Sequence, residues 1–482
     1  MSKVMEEMWV GLDDTDSNEG MCTTFLAALL IQELEKAGYG TVCGFPHLVR
    51  LNPTIPYKTR GNAALGFQFQ LRDNSPKTKQ DVMGHIISRI QEYAKTDCEK
   101  TNPGAVFIFS TNMVPEFQNQ LKPEFKTEFK TEFKTELKPE FKTEFKTEFK
   151  PELKTRLDFF FKKAVTDVIE IDEAFDILKE FSFPHFYLKN GRGLIGALAV
   201  CGSLLNPDFE STYEFLAYRY PEKWGSCGGP NRCVDAGSLI EADKITSPRT
   251  WDTIDYSEKN QPFPVCVPGS GDPVLFGIRG ETPKDVKAAA EMVISEPIYL
   301  SQIFKTNQGT DAHLIPVPSV SEMSPFHSYI LSGSVHCAAK TNEGGHDIFV
   351  LKDFSGHLLE CAAFEPTGSF RKVIRQLVPG DKITVYGSLK NKALNLEKIH
   401  VQFLSPFILL ENPSCPSCQK RMDSAGTNQG FRCKKCKTKS PEKIEKIVPR
   451  NLKTGFYEVP PSARRHLSKP LIRDGNKNKI TK

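Results

Sequence analysis

Val10-Gly-Leu-Asp-Asp-Thr-Asp-Ser-Asn-Glu-Gly-Met-Cys-Thr-Thr24 runs from an apolar strand through three aspartates to the start of an amphipathic helix. Carboxylates at a strand end can hold Mg²⁺, and the N–H groups that open the next helix favour an anion, so the two together suit a nucleoside triphosphate. Asp13, Asp14 and Asp16 are therefore the first candidate site residues. Around them, residues 9–13 read as a strand, 22–37 as a helix and 41–51 as a second strand. The helix rests on Phe25, Leu26, Leu29, Leu30 and Leu34 at helical spacing, and Gly38 stands where a C′ residue belongs. A Pro-containing loop over 52–62 carries Lys58 and Arg60, followed by a strand over 63–71, a helix over 79–95 and a strand over 105–110. Strands alternating with helices in this way indicate an α/β core.

Residues 120–155 interrupt that core with tetrads of the Glu-Phe-Lys-Thr type. A period of four stacks Glu on Glu and Lys on Lys in a helix, and Pro123, Pro139 and Pro151 break its continuity. In a strand, Phe and Thr share one face and Glu and Lys the other, so edge pairing is the competing reading. We assign 116–157 as a low-complexity insertion in a surface loop, without a part in catalysis. After it, 157–179 reads as helical, and Gly191-Arg-Gly-Leu-Ile-Gly196 makes a formal Gly-x-Gly-x-x-Gly. A dinucleotide fold needs that turn at the first βα junction of a parallel unit, with an acidic residue about 20 positions on that ends the next strand, and neither condition is met. The glycines are better read as allowing close packing of a small-residue helix over 194–203, or bringing backbone near a ligand. The stretch 220–233, with Cys227 and Cys233 too loosely spaced for a metal knuckle, is a glycine-rich loop. A strand over 273–280 and a helix over 283–294 can close a ferredoxin-like layer.

From 326 to 410 the pattern changes to five short strands, with a helix over 370–377 before the fourth. That order predicts a small Greek-key barrel of the OB type, a fold that commonly binds single-stranded nucleic acid; the plain alternative is a barrel serving as a spacer. Next come Cys415-Pro-Ser-Cys418 and Cys433-Lys-Lys-Cys436. Two tight knuckles supply four thiolates for tetrahedral Zn²⁺ and leave no position for water or substrate, so the site is structural. From Lys434 to Lys482 the chain holds 15 Lys and Arg against four Asp and Glu, while the 482 residues together carry only +4. A basic stretch of this kind suits phosphate-backbone contacts, a solubilising tail being the bland alternative. The length suggests roughly three to four domains. Thirteen cysteines without a disulfide framework point to a reducing compartment. With no apolar run of about 18 residues and no secretory signal, a cytoplasmic location without a membrane partner is expected.

With these parts in place, the chain resembles the archaeal tRNA(Ile) 2-agmatinylcytidine synthetase family. The resemblance lies in Gly11-Leu-Asp-Asp-Thr-Asp-Ser17, Gly20-Met-Cys-Thr-Thr24, Val49-Arg-Leu-Asn-Pro53 continuing to Ile55-Pro-Tyr-Lys-Thr-Arg-Gly-Asn62, Asn190-Gly-Arg-Gly-Leu-Ile-Gly196 and Gln308-Gly-Thr-Asp-Ala-His313. It covers nearly everything except residues 115–157. It implies a kinase-like α/β domain interleaved with a ferredoxin-like domain over 1–115 and 158–324, then an OB-type barrel over 325–410, a zinc ribbon over 411–440 and a basic C-terminal tail over 441–482. The activity it implies is ATP-dependent attachment of agmatine to C2 of the wobble cytidine in the CAU anticodon of tRNA(Ile). Asp13, Asp14 and Asp16 would then hold Mg²⁺ or orient the attacking group. Thr23 and Thr24 would sit beside phosphate, Thr23 as ligand or transient phosphoacceptor, with ordinary N-capping as the competing reading. Lys58 and Arg60 would contact the triphosphate, and Asp311 the agmatine guanidinium. Two other classes remain open at this point: a noncatalytic RNA-binding protein built on the barrel and ribbon, and a nicotinamide oxidoreductase built on Gly191–Gly196. Oligomeric state is not legible.

Overall fold

The structure is a computed structural model and describes residues 5–17, 20–58, 61–110, 151–224, 232–257 and 261–474. The repeat up to residue 150, Arg60 and the 225–231 part of the glycine-rich loop lie outside the described residues. The first half of the α/β body is built from β1 (Glu7–Asp13), α1 (Thr23–Lys36), β2 (Gly40–Arg50), β3 (Ala63–Leu71), α2 (Pro76–Tyr93) and β4 (Gly104–Phe109). Three helices and a short strand follow: α3 (Pro151–Thr166), α4 (Ile171–Glu180), β5 (His185–Tyr187) and α5 (Gly193–Leu205). The second half comprises β6 (Thr212–Tyr218), α6 (Ala236–Thr246), β7 (Thr250–Trp251), β8 (Val274–Gly280), α7 (Pro283–Glu291) and β9 (Leu300–Thr306).

All nine strands form one sheet in the order β5-β4-β1-β3-β2-β9-β6-β8-β7. Each half thus has a strand–helix–strand–strand–helix–strand sequence, its strands lying fourth, first, third, second across the sheet. The halves join where β9 runs parallel to β2, with Lys305 opposite His47 and Thr306 opposite Leu48. The pleat explains why β1 is an unbroken apolar run: Met8, Val10 and Leu12 pack with α1 and α2, while Trp9 faces the cluster under α3 and α5. Helix α5 lies almost wholly buried on the middle strands. Gly11 makes that possible, since a Cβ there would stand 1.9 Å from the Ala197 carbonyl oxygen.

The structure narrows one sequence boundary. Pro151 opens α3, and Leu153 and Leu157 are 1% and 0% exposed in the core, so residues 151–157 belong to the fold and not to the insertion. Their apolar spacing continues that of Phe160, Phe161 and Ala164, and this outweighs the repeat pattern that runs into them.

The next region contains β10 (Leu314–Pro316), β11 (Ser328–Thr341), β12 (Asp347–Asp353), β13 (Leu358–Ala363), α8 (Ser369–Ile374), β14 (Lys382–Lys390) and β15 (Ala393–Phe403). Strands β11 to β15 close into a ring through β11–β12, β12–β13, β13–β15, β15–β14 and β14–β11 pairs; only β13–β15 is parallel in this ring. A two-stranded arm, β16 (Phe407–Glu411) with β17 (Ile444–Val448), leads out to the four cysteines and back. Strand β18 (Gly455–Glu458) then adds to β15.

The segment read as a basic tail is folded up to residue 474 and spends its charge inside the molecule. Arg450 pairs with buried Asp381, Arg464 with Asp252 and Glu458, Arg465 with Glu397 and Arg473 with Glu281. Leu467 and Leu471 are buried. Residues 461–474 therefore form a strap that ties the barrel to the second half of the sheet. Among the described residues, no helix is long and apolar enough to cross a membrane.

Candidate active site

A cleft of about 390 Å³ opens between the two halves and is lined by Asp13, Asp14, Asp16, Thr23, Thr24 and Lys58 among others. Six of the sequence-predicted residues are thus brought together. Asp13 ends β1, and its Oδ1 accepts the Asp14 N–H at 2.7 Å. Asp14 has φ +58°, a conformation that aspartate tolerates better than most residues, and its Oδ2 accepts the Asn102 N–H at 2.9 Å. Asp13 is walled in by α5: a Cβ on Gly196 would fall 1.9 Å from its Oδ2, and one on Gly193 would fall 2.9 Å from its carbonyl oxygen. That is the function of the Gly-x-Gly-x-x-Gly stretch, whose helix comes against the catalytic candidate itself. This enclosure, with Asp14 and then Asp16 alongside, raises the Asp13 carboxyl well above the usual carboxylate range. A bound cation reverses such a penalty, so the donor set fits a hard divalent ion.

Helix α1 begins immediately beyond. The Cys22 side chain makes no capping bond to it, so its positive end meets the cleft with Thr23 and Thr24 in the lining. Thr15 holds the Thr23 hydroxyl, donating from its Oγ1 at 3.1 Å and from its N–H at 3.4 Å. The Thr24 hydroxyl lies 2.9 Å from the Cys22 sulfur.

The opposite wall is cationic. Lys58 donates to the Pro53 carbonyl at 2.6 Å; burial first, and then Arg465 and Lys390, lower its ammonium pKa. Arg50 donates to the Gly61 carbonyl at 2.9 Å, and burial chiefly brings it down to about 10, with Glu214 opposing and Arg279 adding to the shift. Arg192 lies over the Tyr57 ring, 4.0 Å from its centroid. Arg232 shapes the rim: its guanidinium donates to the carbonyls of Pro268, Ser270, Asp272 and Val274, three of them at 2.5 to 2.7 Å. Beyond the acidic cluster, Asp167, Glu214, Asp252 and Asp272 also line the cleft.

Asp311 requires a correction. It does not line the cleft; its carboxylate accepts from Lys398 Nζ at 2.6 Å and from the Lys469 N–H at 2.7 Å. Its motif is a joint. The Asn307 amide exchanges bonds with the Arg50 backbone, the Gln308 amide donates to Glu214, and His313 pairs with Glu397 at 3.0 Å. The charge of Asp311 is already met by Lys398, which is 3% exposed at its side chain.

Sequence reasoning missed Glu214, Asp252, Asp272, Arg279 and His466. None sits in a motif, and only the meeting of segments far apart along the chain brings them to the cleft. Arg50 and Arg192 lay inside quoted motifs, and a charged residue flanked by glycine or closing a buried strand was the available signal. The four candidate zinc ligands do converge: the sulfurs of Cys415, Cys418, Cys433 and Cys436 lie within 4.8 Å of one another, as one tetrahedral metal would require.

Family models described as the TiaS TCKD domain, the TiaS FLD domain and the TiaS C-terminal zinc ribbon domain match residues 9–190, 191–313 and 412–452. The tRNA(Ile) 2-agmatinylcytidine synthetase TiaS of Methanosarcina acetivorans is 48% identical over 472 residues, covering 98% of each chain. A crystal structure of a complex of TiaS with its isoleucine tRNA and ATP superposes with a TM-score of 0.79 at 42% identity, covering 97% of each chain. One of TiaS with the same tRNA, AMPCPP and agmatine gives 0.77 at 40%, again over 97% of each. The chain belongs to the tRNA(Ile) 2-agmatinylcytidine synthetase TiaS family.

Proposed function

We propose that the chain attaches agmatine to C2 of the wobble cytidine in the CAU anticodon of tRNA(Ile) in the cytoplasm, cleaving ATP to AMP and two phosphates and switching decoding from AUG to AUA. The observation that carries this reading is the cleft in which an acidic cluster, the positive end of α1 and a cationic wall converge. A noncatalytic RNA-binding protein has no use for that convergence. The C2 oxygen of cytidine is a poor leaving group until phosphorylated. Phosphoryl transfer to it depends on positioning and on neutralising charge, after which the agmatine amine forms the new C–N bond and phosphate departs.

Asp13, Asp14 and Asp16 would hold Mg²⁺, which supplies charge neutralisation on the phosphates. Thr23 and Thr24 place helix-end amides and hydroxyls beside the triphosphate, and the Thr23 hydroxyl, oriented by Thr15, is the candidate transient phosphoacceptor. Lys58 and Arg60 would contact the triphosphate. A cationic substrate would find its counter-charge among the second-half carboxylates that line the cleft, Glu214, Asp252 and Asp272, and not at Asp311, which lies outside the lining. Cys415, Cys418, Cys433 and Cys436 would hold zinc that keeps the ribbon folded.

The same reading names the parts. The first half, with its flanking helices, is the kinase-like domain. The second half is the ferredoxin-like domain, whose strand order the first half shares. The five-stranded ring, closed through a parallel third-to-fifth strand pair with a helix before the fourth strand, supports an OB-type barrel. The test incubates protein, Mg-ATP, agmatine and a transcript of the CAU-anticodon tRNA(Ile) and follows AMP release together with the mass of the wobble nucleoside. Wild type gains the agmatine mass and Asp13→Ala and Asp14→Ala do not; tRNA binding without ATP turnover in wild type refutes the reading.

A further inference from the structure

The strap brings one side chain into the cleft that the reaction as derived above does not use. His466 lines the cleft with Arg50, Lys58 and Arg279. Its position is fixed from both sides: the Gly309 N–H donates to its carbonyl at 2.8 Å, the Asp311 N–H donates to the Leu467 carbonyl at 2.8 Å, and Leu467 is buried. Arg464, two residues earlier, is held by Asp252 and Glu458.

Its tautomer follows from its partner. Arg279 Nη2 lies 2.8 Å from His466 Nδ1. A guanidinium can only donate, so Nδ1 must accept, and the ring proton is on Nε2. Nε2 points towards the Gly61 turn, 3.7 Å from where a Cβ on Gly61 would stand. His466 is exposed to the open cleft, and the protein crowded around it, followed by Arg50, Arg279 and Lys58, lowers its pKa and holds the ring neutral. Arg279 is met by Glu214 at 3.2 Å and Asp252 at 3.8 Å, whereas Arg50 and Lys58 donate to the backbone carbonyls of Gly61 and Pro53, so a neutral N–H donor beside these two cations is an arrangement that an oxyanion completes by accepting the donated hydrogen.

We propose that His466 is a substrate-contacting residue that donates its Nε2–H to a phosphate oxygen held by Arg50 and Lys58. The strap is then part of the binding machinery and not only a tie between domains. This rests on the function proposed above. Phosphate oxygens of that chemistry come from two sources, the nucleoside triphosphate and the RNA backbone, and the test separates them.

The zinc-loaded full-length protein is compared as wild type, His466→Phe and His466→Gln. Phe keeps the ring shape without a donor; Gln places an amide donor near Nε2. Mg-ATP, tRNA and agmatine binding are titrated separately, alongside thermal unfolding. The expected result is that His466→Phe weakens either ATP or tRNA by about tenfold to a hundredfold, as for loss of one hydrogen bond to a charged group. Agmatine affinity should stay unchanged, and His466→Gln should recover most of the loss. The proposal is overturned if His466→Phe binds both polyanions like wild type, if Gln is no better than Phe, or if all three ligands weaken together with the unfolding midpoint. A wild-type protein that binds neither ATP nor tRNA overturns the functional reading itself, and this inference with it.

Discussion

Replacing Gly196 by alanine tests the packing of α5 against the acidic cluster. The added Cβ would stand 1.9 Å from Asp13 Oδ2, 2.6 Å from its Cγ and 3.0 Å from its Cβ, whereas ordinary contact begins at 3.4 Å. The two must part by the difference, about 1.5 Å. If the carboxylate swings away, it leaves the position from which it serves phosphoryl transfer, and a displacement of about 1 Å at such a site can cost on the order of a hundredfold in rate. If α5 retreats instead, the overpacking costs about 1–3 kcal/mol of stability, because the helix is buried along its length. Two assays read the two routes: agmatine-dependent AMP release at saturating ATP, and denaturant unfolding. The expected result is about a hundredfold loss of rate together with a raised Mg²⁺ requirement, with a stability loss below that of a helix displacement. Gly196→Ala protein that turns over within threefold of wild type and unfolds at the same midpoint would refute the reasoning.

Deleting residues 116–150 should leave modification rates within a few fold, whereas extending the deletion to 157 removes Leu153 and Leu157 from the core and should cost several kcal/mol, since even one buried Leu→Ala change costs about 2–5; denaturant midpoints of the two deletions check this. Glu397 is buried, yet His313 first and then Arg465 and Lys398 hold its carboxyl down to about 2 from an ordinary 4.5. A depressed folded-state value contributes stability that is present above about 4.5 and is lost as pH falls towards about 2; unfolding midpoints against pH should fall over that window in wild type more steeply than in Glu397→Gln. Chelation should release one zinc per chain and loosen the ribbon alone, because Cys415, Met422 and Cys433 form a cluster separate from the cores of the body and barrel; metal release followed beside tryptophan fluorescence of buried Trp9 and Trp251 would show both transitions together if the ribbon supports the body.

The parts of this protein legible from sequence are those in which neighbouring residues act together. The strand-to-aspartate-to-helix stretch, the knuckle spacing of the cysteines and the alternating barrel strands each contain their own reason for folding; β1, α1 and four of the five barrel strands lie within two residues of expectation, while the first barrel strand runs past the expected Val335 to Thr341. The lost parts depend on partners far along the chain. Asp311 looked like a substrate group because a carboxylate in a polar loop has no visible partner until Lys398, 87 residues away, is brought to it. The last segment looked like a solvated charge run because Asp252, Asp381 and Glu281, which neutralise it, are spread through two other regions. The α3 boundary was obscured because its first two turns are written in the same four-residue pattern as the insertion.

The ion pairs inside the strap also change what a salt titration would count. A formal tally over Lys434–Lys482 implies fifteen cations able to shed chloride and meet a polyanion, but Arg450, Arg464, Arg465 and Arg473 are already neutralised by carboxylates of the same molecule. The slope of log affinity against log ionic strength therefore counts fewer cations from this segment than the formal tally of fifteen. The electrostatic reach of this segment is accordingly shorter than its formal charge conveys.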